Sequence, residues 1–501
     1  MGRIGKTTPG AATPTAAQAR RLVDLGACID FLDKTGNLLR VKTEVDPRFE
    51  LAAVAKRLEG GKCVLFERVK GSAWPVLAGL LWNRGIVGEL FGMPREQVPF
   101  AIAAAVAAWQ KDPAALPGRL LQRGPCNEVI EDKCDLSRLP IPLHALKDGG
   151  AFLDSSLVVA RNPLTGAPNI SIHRMMVTRK DRLSFLIDPG RHLGEYVDIM
   201  ERRGEALPVT INNGVGLAPW IVSSLPRLGD NKNAVAHHLV GRGIDFVRGQ
   251  TVDVPAYAAA QFVIEAEILP GVREAEGPFA EVTGYYAGRE KRWVMKVKAI
   301  TRRAEPVFHT VLSGMEVWNA VGFTAEAAIS HAVKRAIPEL VAVYLPHGGC
   351  GFYEAVVQVR NTRRDIGKDV IRATLRAFPP LQRVIVVDTD VDLRDAVDVD
   401  WAVTTRFDPD HDLVLLPGQS GHILNPMVKP DADGKGGTVT KMGMDALVPF
   451  GAPPQRFERV KFRAIDLANY EIVENRLKPA AARKPATAPN RKRRQQSKEE
   501  T

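Results

Sequence analysis

The sequence predicts an α/β (α+β) fold in three parts, because the grammar of the 501-residue chain changes twice along its length. Residues 18–117 mix amphipathic helical spacing with short strands. Residues 118–322 pass through successive short β-rich runs with few helices, and residues 323–477 alternate helix and strand. Many strands with few intervening helices favour a mostly antiparallel barrel or sandwich in the middle part, and regular alternation favours an α/β layer in the last. A hydrophobic content of 45% with 25% charged residues sets the chain among globular proteins and excludes the disordered and collagenous classes. The tails differ: residues 1–17 are rich in Gly, Ala, Thr and Pro, and residues 478–501 in Ala, Pro, Lys, Arg and Gln. Neither holds enough large apolar side chains to offset ordering entropy, and both are expected to be disordered.

In chain order, residues 17–32 read as an amphipathic helix, Gly36 as a turn, and 38–45 as an extended piece ending at Asp46-Pro47. A helix over 49–58, a strand over 63–66 and an Ala-rich helix containing 100–109 complete the first part. The middle part offers strands at 157–160, 169–178, 183–187, 209–211, 262–268, 294–300 and 307–312, with one helix at 193–202. The last part alternates helices at 325–336, 368–378 and 393–403 with strands at 341–344, 355–359, 384–388 and 413–416. No internal repeat is present.

The net charge of +11 belongs to the ends: residues 1–23 carry four basic side chains and no acid, and residues 477–501 carry eight basic and two acidic ones. The body is close to neutral, which argues against a nucleic-acid groove. The cluster Arg491 to Arg494 leaves open a nucleic-acid tail or a merely solubilising one. Five scattered cysteines with no Cys-x-x-Cys pair suit a reducing, cytoplasmic setting. The longest apolar stretch, 100–109, is too short to span a bilayer and the N-terminus lacks a signal-peptide core, so neither membrane insertion nor secretion is expected.

Two stretches carry chemistry. Residues 274–286 read EAEGPFAEVTGYY, with Glu276 and Glu281 separated by Gly277-Pro278. A Gly-Pro break forces a turn that lets the two carboxylates converge, as a proton-delivering pair requires; the alternative is a solvated acidic loop. Residues 169–177 read NISIHRMMV. Strand alternation puts Asn169, Ser171, His173 and Met175 on one face and Arg174 among Ile170, Ile172 and Met176 on the other. A guanidinium in apolar company asks for a carboxylate partner, whether in a site or in a structural salt bridge.

These strings carry a resemblance. From about Asp24 to Asp445 the chain resembles the UbiD family of prenylated-FMN-dependent (de)carboxylases, in DLGACIDFLDKTGNLLRV, VDPRFELAAVA, CVLFERVKG, LPIPLHALKDGG, TGAPNISIHRMMV, EGPFAEVTGYY and TKMGMDAL. The resemblance implies a central split β-barrel binding prenylated FMN between two α/β segments, in a homodimer or higher homo-oligomer. It implies non-oxidative, reversible decarboxylation of an aromatic, heteroaromatic or α,β-unsaturated carboxylic acid through a covalent adduct with the cofactor. Arg174, Glu276 and Glu281 map onto the family's catalytic network, with Glu281 as the proton donor. Cofactor contacts fall on Asn169, Ser171, Ile172, His173, Arg174, His192, Ser223, Ser224, Pro226 and Lys232. A flavin prenyltransferase is implied as supplier of the cofactor. Asn169 and His192 map onto two of three ligands for a divalent cation, Mn2+ or Mg2+, that bridges to the phosphate; K+ is a further candidate.

The third ligand breaks the pattern. After Ser224-Leu225-Pro226 the run is RLGDNKNAVAHHLVG, which places Lys232 where the family has a carboxylate. Three readings follow: Lys232 replaces the cation and meets the phosphate itself, Asp230 supplies the oxygen after a local shift, or the site has degenerated. The last keeps a second function open, a non-catalytic accessory subunit of a multi-subunit (de)carboxylase. His237-His238 is either a rebuilt ligand pair or two helix-surface imidazoles. Lys441 is a candidate for substrate or subunit contact, and 434–437 for a mobile lid. The pocket wall is expected to include residues 308–313 and the neighbourhood of Tyr285, with His309 read as a satisfied core histidine.

Overall fold

A computed structural model of the protein describes residues 14–187, 190–225, 231–432, 436–465 and 469–471. Residues up to Gly451 form one compact unit and those from Ala452 a second, whose described part holds one short turn of 3-10 helix, Pro454–Phe457.

The first part opens with two helices, Ala16–Val23 and Leu25–Lys34, where sequence spacing suggested one. Asp24 separates them: its backbone is extended, and its carboxylate accepts the Ala27 N–H at 3.2 Å as the cap of the second helix. Leu22, Leu25 and Leu32 are buried together in the first core. The extended piece is a strand only over Leu38–Val41; it pairs in parallel with Cys63–Phe66, which pairs antiparallel with Val76–Ala78. The fourth strand of this sheet is Phe308–His309, from the predicted run 307–312 of the middle part. The first two parts therefore share a sheet.

The middle part is built around one nine-stranded antiparallel sheet. Its order is Phe152–Leu153, Met175–Arg179, Arg182–Phe185, Glu290–Arg302, Phe262–Glu276, Leu207–Asn213, Leu157–Arg161 and Pro168–Ile172, with Val129–Ile130 paired to Glu290–Arg302. The predicted strand 262–268 continues to Glu276 through Pro270-Gly271, because a shift of register between Ile268 and Arg273 absorbs the proline. The predicted strand 169–178 is two strands. Pro168–Ile172 lies at one end of the sheet and Met175–Arg179 next to the other end, yet only His173 and Arg174 separate them in the chain. The three Cα steps from Ile172 to Met175 reach only about 10 Å at full extension. The sheet is thus curled until its ends nearly meet, as a split barrel requires, and Arg174 sits in the seam.

The last part has a five-strand path, Leu340–Tyr344, Glu354–Val359, Arg383–Val387, Gly437–Ala446 and Leu413–Ser420, flanked by helices Ile366–Ala377 and Ala396–Arg406. Met315–Ala336 is a single long helix that crosses the 322/323 boundary suggested by the sequence. The five cysteines are free thiols. Among the described residues no helix is long and apolar enough to cross a membrane.

Glu316, at the start of that long helix, is fully buried, and burial pushes its carboxyl up to about 8. Its Oε1 accepts the Leu81 N–H at 3.3 Å. Such a group is protonated in the fold but ionises near its ordinary value of 4.5 when the chain unfolds, so its stabilising contribution is full below 4.5 and is lost as pH rises toward 8. Glu316→Gln keeps the neutral shape. Its melting temperature is expected to fall less than that of the wild type between those two pH values, and parallel curves from thermal melts would remove Glu316 from the pH dependence.

Candidate active site

Glu276 closes the long strand Phe262–Glu276, and Glu281 lies in the hairpin formed by Phe279–Ala280 and Tyr286–Ala287. Gly277 between them has φ +89°, and a Cβ there would meet Gly288 O at 2.5 Å, so the turn accepts only glycine. The turn is held from outside by the Gly149 N–H, which donates to Pro278 O at 2.8 Å. Trp318 Nε1 donates to Val282 O at 2.8 Å and fixes the segment beyond Glu281.

The two carboxylates converge on one guanidinium, so the solvated-loop alternative is excluded. Arg174 donates to Glu276 Oε2 at 2.9 Å through one terminal nitrogen and to Glu281 Oε1 through the other. Burial works to lower the Arg174 pKa, but the charges of Glu281 and Glu276 outweigh it and the value is raised. The Phe279 ring lies 5.1 Å from the guanidinium carbon and itself packs on Phe152. One guanidinium faces two carboxyl groups, so ionisation of both would leave the trio one negative charge in excess. Glu276 is sealed at 0% exposure, whereas Glu281 lines a cavity of about 160 Å³. Glu281 is the member placed to exchange a proton with a bound molecule.

The cavity walls are largely apolar: Ile172, Trp220, Phe279, Val282, Val311 and Val317, joined by Leu424 from the last part. Trp220 is pinned by its Nε1, which donates to Ser155 O at 2.8 Å. Asp154 also lines it, a residue the sequence reading missed although it stands in the apolar run FLDSS. Burial pushes its carboxyl up to about 8, while Val311 N donates to it at 3.0 Å. His144 Nδ1 is 3.2 Å from the same carboxyl, and burial pushes that imidazole down to about 4. A larger cavity of about 660 Å³ is lined by residues such as Pro47, Lys70, Leu139 and Gly149 and by Asp148, whose carboxylate accepts the Ala280 N–H at 2.9 Å.

The other expected residues divide. Ile172 and His173 line the cavity, with His173 held by Ser171 Oγ at 2.9 Å and Leu186 O at 3.0 Å. Asn169 Nδ2 and His192 Nδ1 are 2.6 Å apart, and Asn169 Oδ1 accepts the Ile170 N–H at 2.9 Å. The hydroxyls of Ser223 and Ser224 donate to Trp220 O at 2.6 Å and Ile221 O at 2.7 Å, back into their own helix. Lys232 is buried with its Nζ 3.0 Å from Ser223 O; burial, reinforced by the charge of Arg191, lowers its pKa to about 7. Pro226, Asp230, Gly434 and the cluster Arg491 to Arg494 lie outside the described residues.

His237 and His238 bond Leu116 O at 2.7 Å and Asp112 O at 3.3 Å, which ties their helix to the segment after Val98–Lys111 and not to a ligand set. Lys441 Nζ donates to Pro379 O at 2.5 Å within the last part. Of the expected wall, Val311 and Ser313 face the cavity, but Tyr285 is 63% exposed and absent from the lining. His309 is in the core, yet neither ring nitrogen has a hydrogen-bond partner, which corrects its reading as a satisfied histidine.

The chain matches models of three domains of 3-octaprenyl-4-hydroxybenzoate carboxy-lyase: the N-terminal domain over residues 29–106, the Rift-related domain over 119–316 and the C-terminal domain over 319–446. It is 34% identical over 435 residues to anhydromevalonate phosphate decarboxylase of Methanothermobacter thermautotrophicus, which covers 86% of this chain and 99% of the relative. The UbiD-class enzyme HmfF of Pelotomaculum thermopropionicum, solved in complex with FMN, superposes with a TM-score of 0.84 at 36% identity, over 89% of this chain and all of that one. An evolved dimeric form of HmfF in complex with prFMN superposes with a TM-score of 0.80 at 35% identity, over the same shares. The fold and these matches define a decarboxylase of the carboxy-lyase class. The chain belongs to the UbiD family.

The residues fit a flavin. Arg174 Nε is buried without a hydrogen-bond partner at the wall of an apolar slot, and a buried ammonium stands one turn beyond Trp220, on the carbonyl of Ser223. Toward a divalent cation they offer Asn169 and His192, in contact with each other, and a buried lysine, Lys232, where the sequence aligns the third ligand; an ammonium cannot ligate a cation.

Proposed function

We propose that this chain catalyses the non-oxidative, reversible decarboxylation of an aromatic, heteroaromatic or α,β-unsaturated carboxylic acid with prenylated FMN as cofactor. The observation that carries the reading is the joining of Glu276 and Glu281 by the Arg174 guanidinium at the wall of an apolar cavity. Prenylated FMN, when bound, supplies the sink for the electron pair that CO2 leaves behind, which no side chain offers.

The chain does the rest. Arg174 holds Glu281 Oε1 and the Val282 N–H donates to Oε2 at 3.3 Å, which fixes the carboxyl that passes its proton to the carbon that has lost CO2. Glu276 anchors the other side of the guanidinium and keeps it from turning. Ile172, Trp220 and Val282 exclude water, leaving a substrate carboxylate poorly solvated, which favours its loss as neutral CO2. Ser171, Ile172 and His173 would hold the flavin, and Ser223 and Ser224 would do so through backbone groups, since their hydroxyls are spent. Asn169 stands three residues from Ile172, about 10 Å along an extended strand, far enough to meet the phosphate end while Ile172 meets the ring. A flavin prenyltransferase supplies the cofactor, and the dimeric relative supports a homodimer or higher homo-oligomer.

The test is CO2 release from a panel of planar unsaturated acids by protein co-expressed with a flavin prenyltransferase and purified without oxygen, with Glu281→Gln as the control. Turnover of one acid that the control lacks is expected. Flavin-loaded protein inert toward the whole panel would favour an accessory subunit.

A further inference from the structure

Lys232 is 6% exposed, and its hydrogen bonds go to two backbone carbonyls, Ser223 O at 3.0 Å and Leu225 O at 3.5 Å. Among the described residues no carboxylate contacts it. Neutral carbonyls balance a buried ammonium only in part, and a cation without an acid needs an anion or sheds its proton. The surroundings deepen the imbalance. Lys232 precedes the helix Asn233–Val240, whose first turn presents the positive end of its dipole, and Arg191 adds a repelling charge. Next to Arg191 in the chain, His192 meets Asn169, and the helix after Lys232 packs on the strand that carries Asn169. Among the described contacts of Lys232, donors and positive charge gather, as an anion requires.

An ammonium has three donors. With two spent on Ser223 O and Leu225 O, the third remains for an oxygen of a ligand. We infer that Lys232, with Asn169 and His192, binds the flavin phosphate directly, and that this chain holds its cofactor without a divalent cation. The inference rests on the flavin reading above. It selects among the three sequence readings of Lys232: the lysine stands in for the metal, and no shifted carboxylate is needed.

The experiment titrates EDTA-treated apoprotein with FMN and with riboflavin, which lacks the phosphate, following quenching of flavin fluorescence with and without added Mn2+. The wild type is expected to bind FMN with the same affinity in EDTA and in Mn2+. Lys232→Met should weaken FMN by roughly tenfold to a hundredfold, the worth of one charge-assisted hydrogen bond, while riboflavin affinity stays unchanged. Lys232→Glu puts an acid at the start of the helix that packs on the Asn169 strand, and its FMN binding should come to depend on Mn2+. Wild-type binding abolished by EDTA and restored by Mn2+ would overturn the inference without any variant, leaving the flavin reading intact. Equal losses for FMN and riboflavin in Lys232→Met would assign the lysine a structural role and overturn it as well. Wild type that binds neither flavin would remove the flavin reading, and the inference with it.

Discussion

Glu281→Gln lowers turnover by roughly a hundredfold to ten-thousandfold, the usual worth of a positioned general acid, while flavin stays bound. The amide keeps the shape of the side chain and an oxygen for the Arg174 guanidinium, so the hairpin between Ala280 and Tyr286 keeps its form. What it loses is the transferable proton. Glu276→Gln is the informative contrast: the same chemical change at a carboxyl sealed from the cavity alters how the guanidinium is held and has no direct route to the substrate. Its loss should therefore be smaller. Single-turnover measurements on flavin-loaded protein separate the chemical step from binding, and a Glu281→Gln protein with undiminished turnover would take that residue out of the mechanism.

Arg174→Leu costs about 3–5 kcal/mol of folding stability, because it leaves two buried carboxylates facing each other without a cation. The Phe279 ring also loses the cation on its face. The effect is coupled to its partners. Arg174→Leu combined with Glu276→Gln should recover part of the lost stability, since one of the two stranded charges is gone. Denaturant melts of the single and double variants measure this directly, and a single variant as stable as the wild type would show that the trio is not held by charge.

Much of this site was legible in the residues. Gly277-Pro278 announced a turn, and a turn is what lets residues five apart share a partner. Arg174 in apolar company announced the need for an acid, and the fold supplied both. Strand alternation, however, placed Arg174 on a continuous strand, whereas the chain leaves one end of the sheet at Ile172 and rejoins it near the other at Met175. No local pattern encodes that closure, because it depends on how far the whole sheet curls. The strand read over 262–268 continues past Pro270-Gly271 to Glu276 by a shift of register, stabilised by the partner strand Glu290–Arg302. Phe308–His309 read as part of the middle sheet and joins the first one, a choice made by residues more than two hundred positions away. Asp154 escaped notice because an acid earns attention from its surroundings, and Val311, Thr310 and His144 surround it only after folding. The serine pair reads as a flavin contact through its hydroxyls, but each hydroxyl is satisfied by its own helix, a competition that spacing does not reveal.

The central claim is that this site carries prenylated FMN. Mass spectrometry of the small molecules released from protein co-expressed with a flavin prenyltransferase and kept free of oxygen addresses it most directly. The expected result is prenylated FMN in amounts close to one per chain. Protein that is folded and oligomeric but releases no flavin would contradict the account, whatever the geometry of Arg174, Glu276 and Glu281.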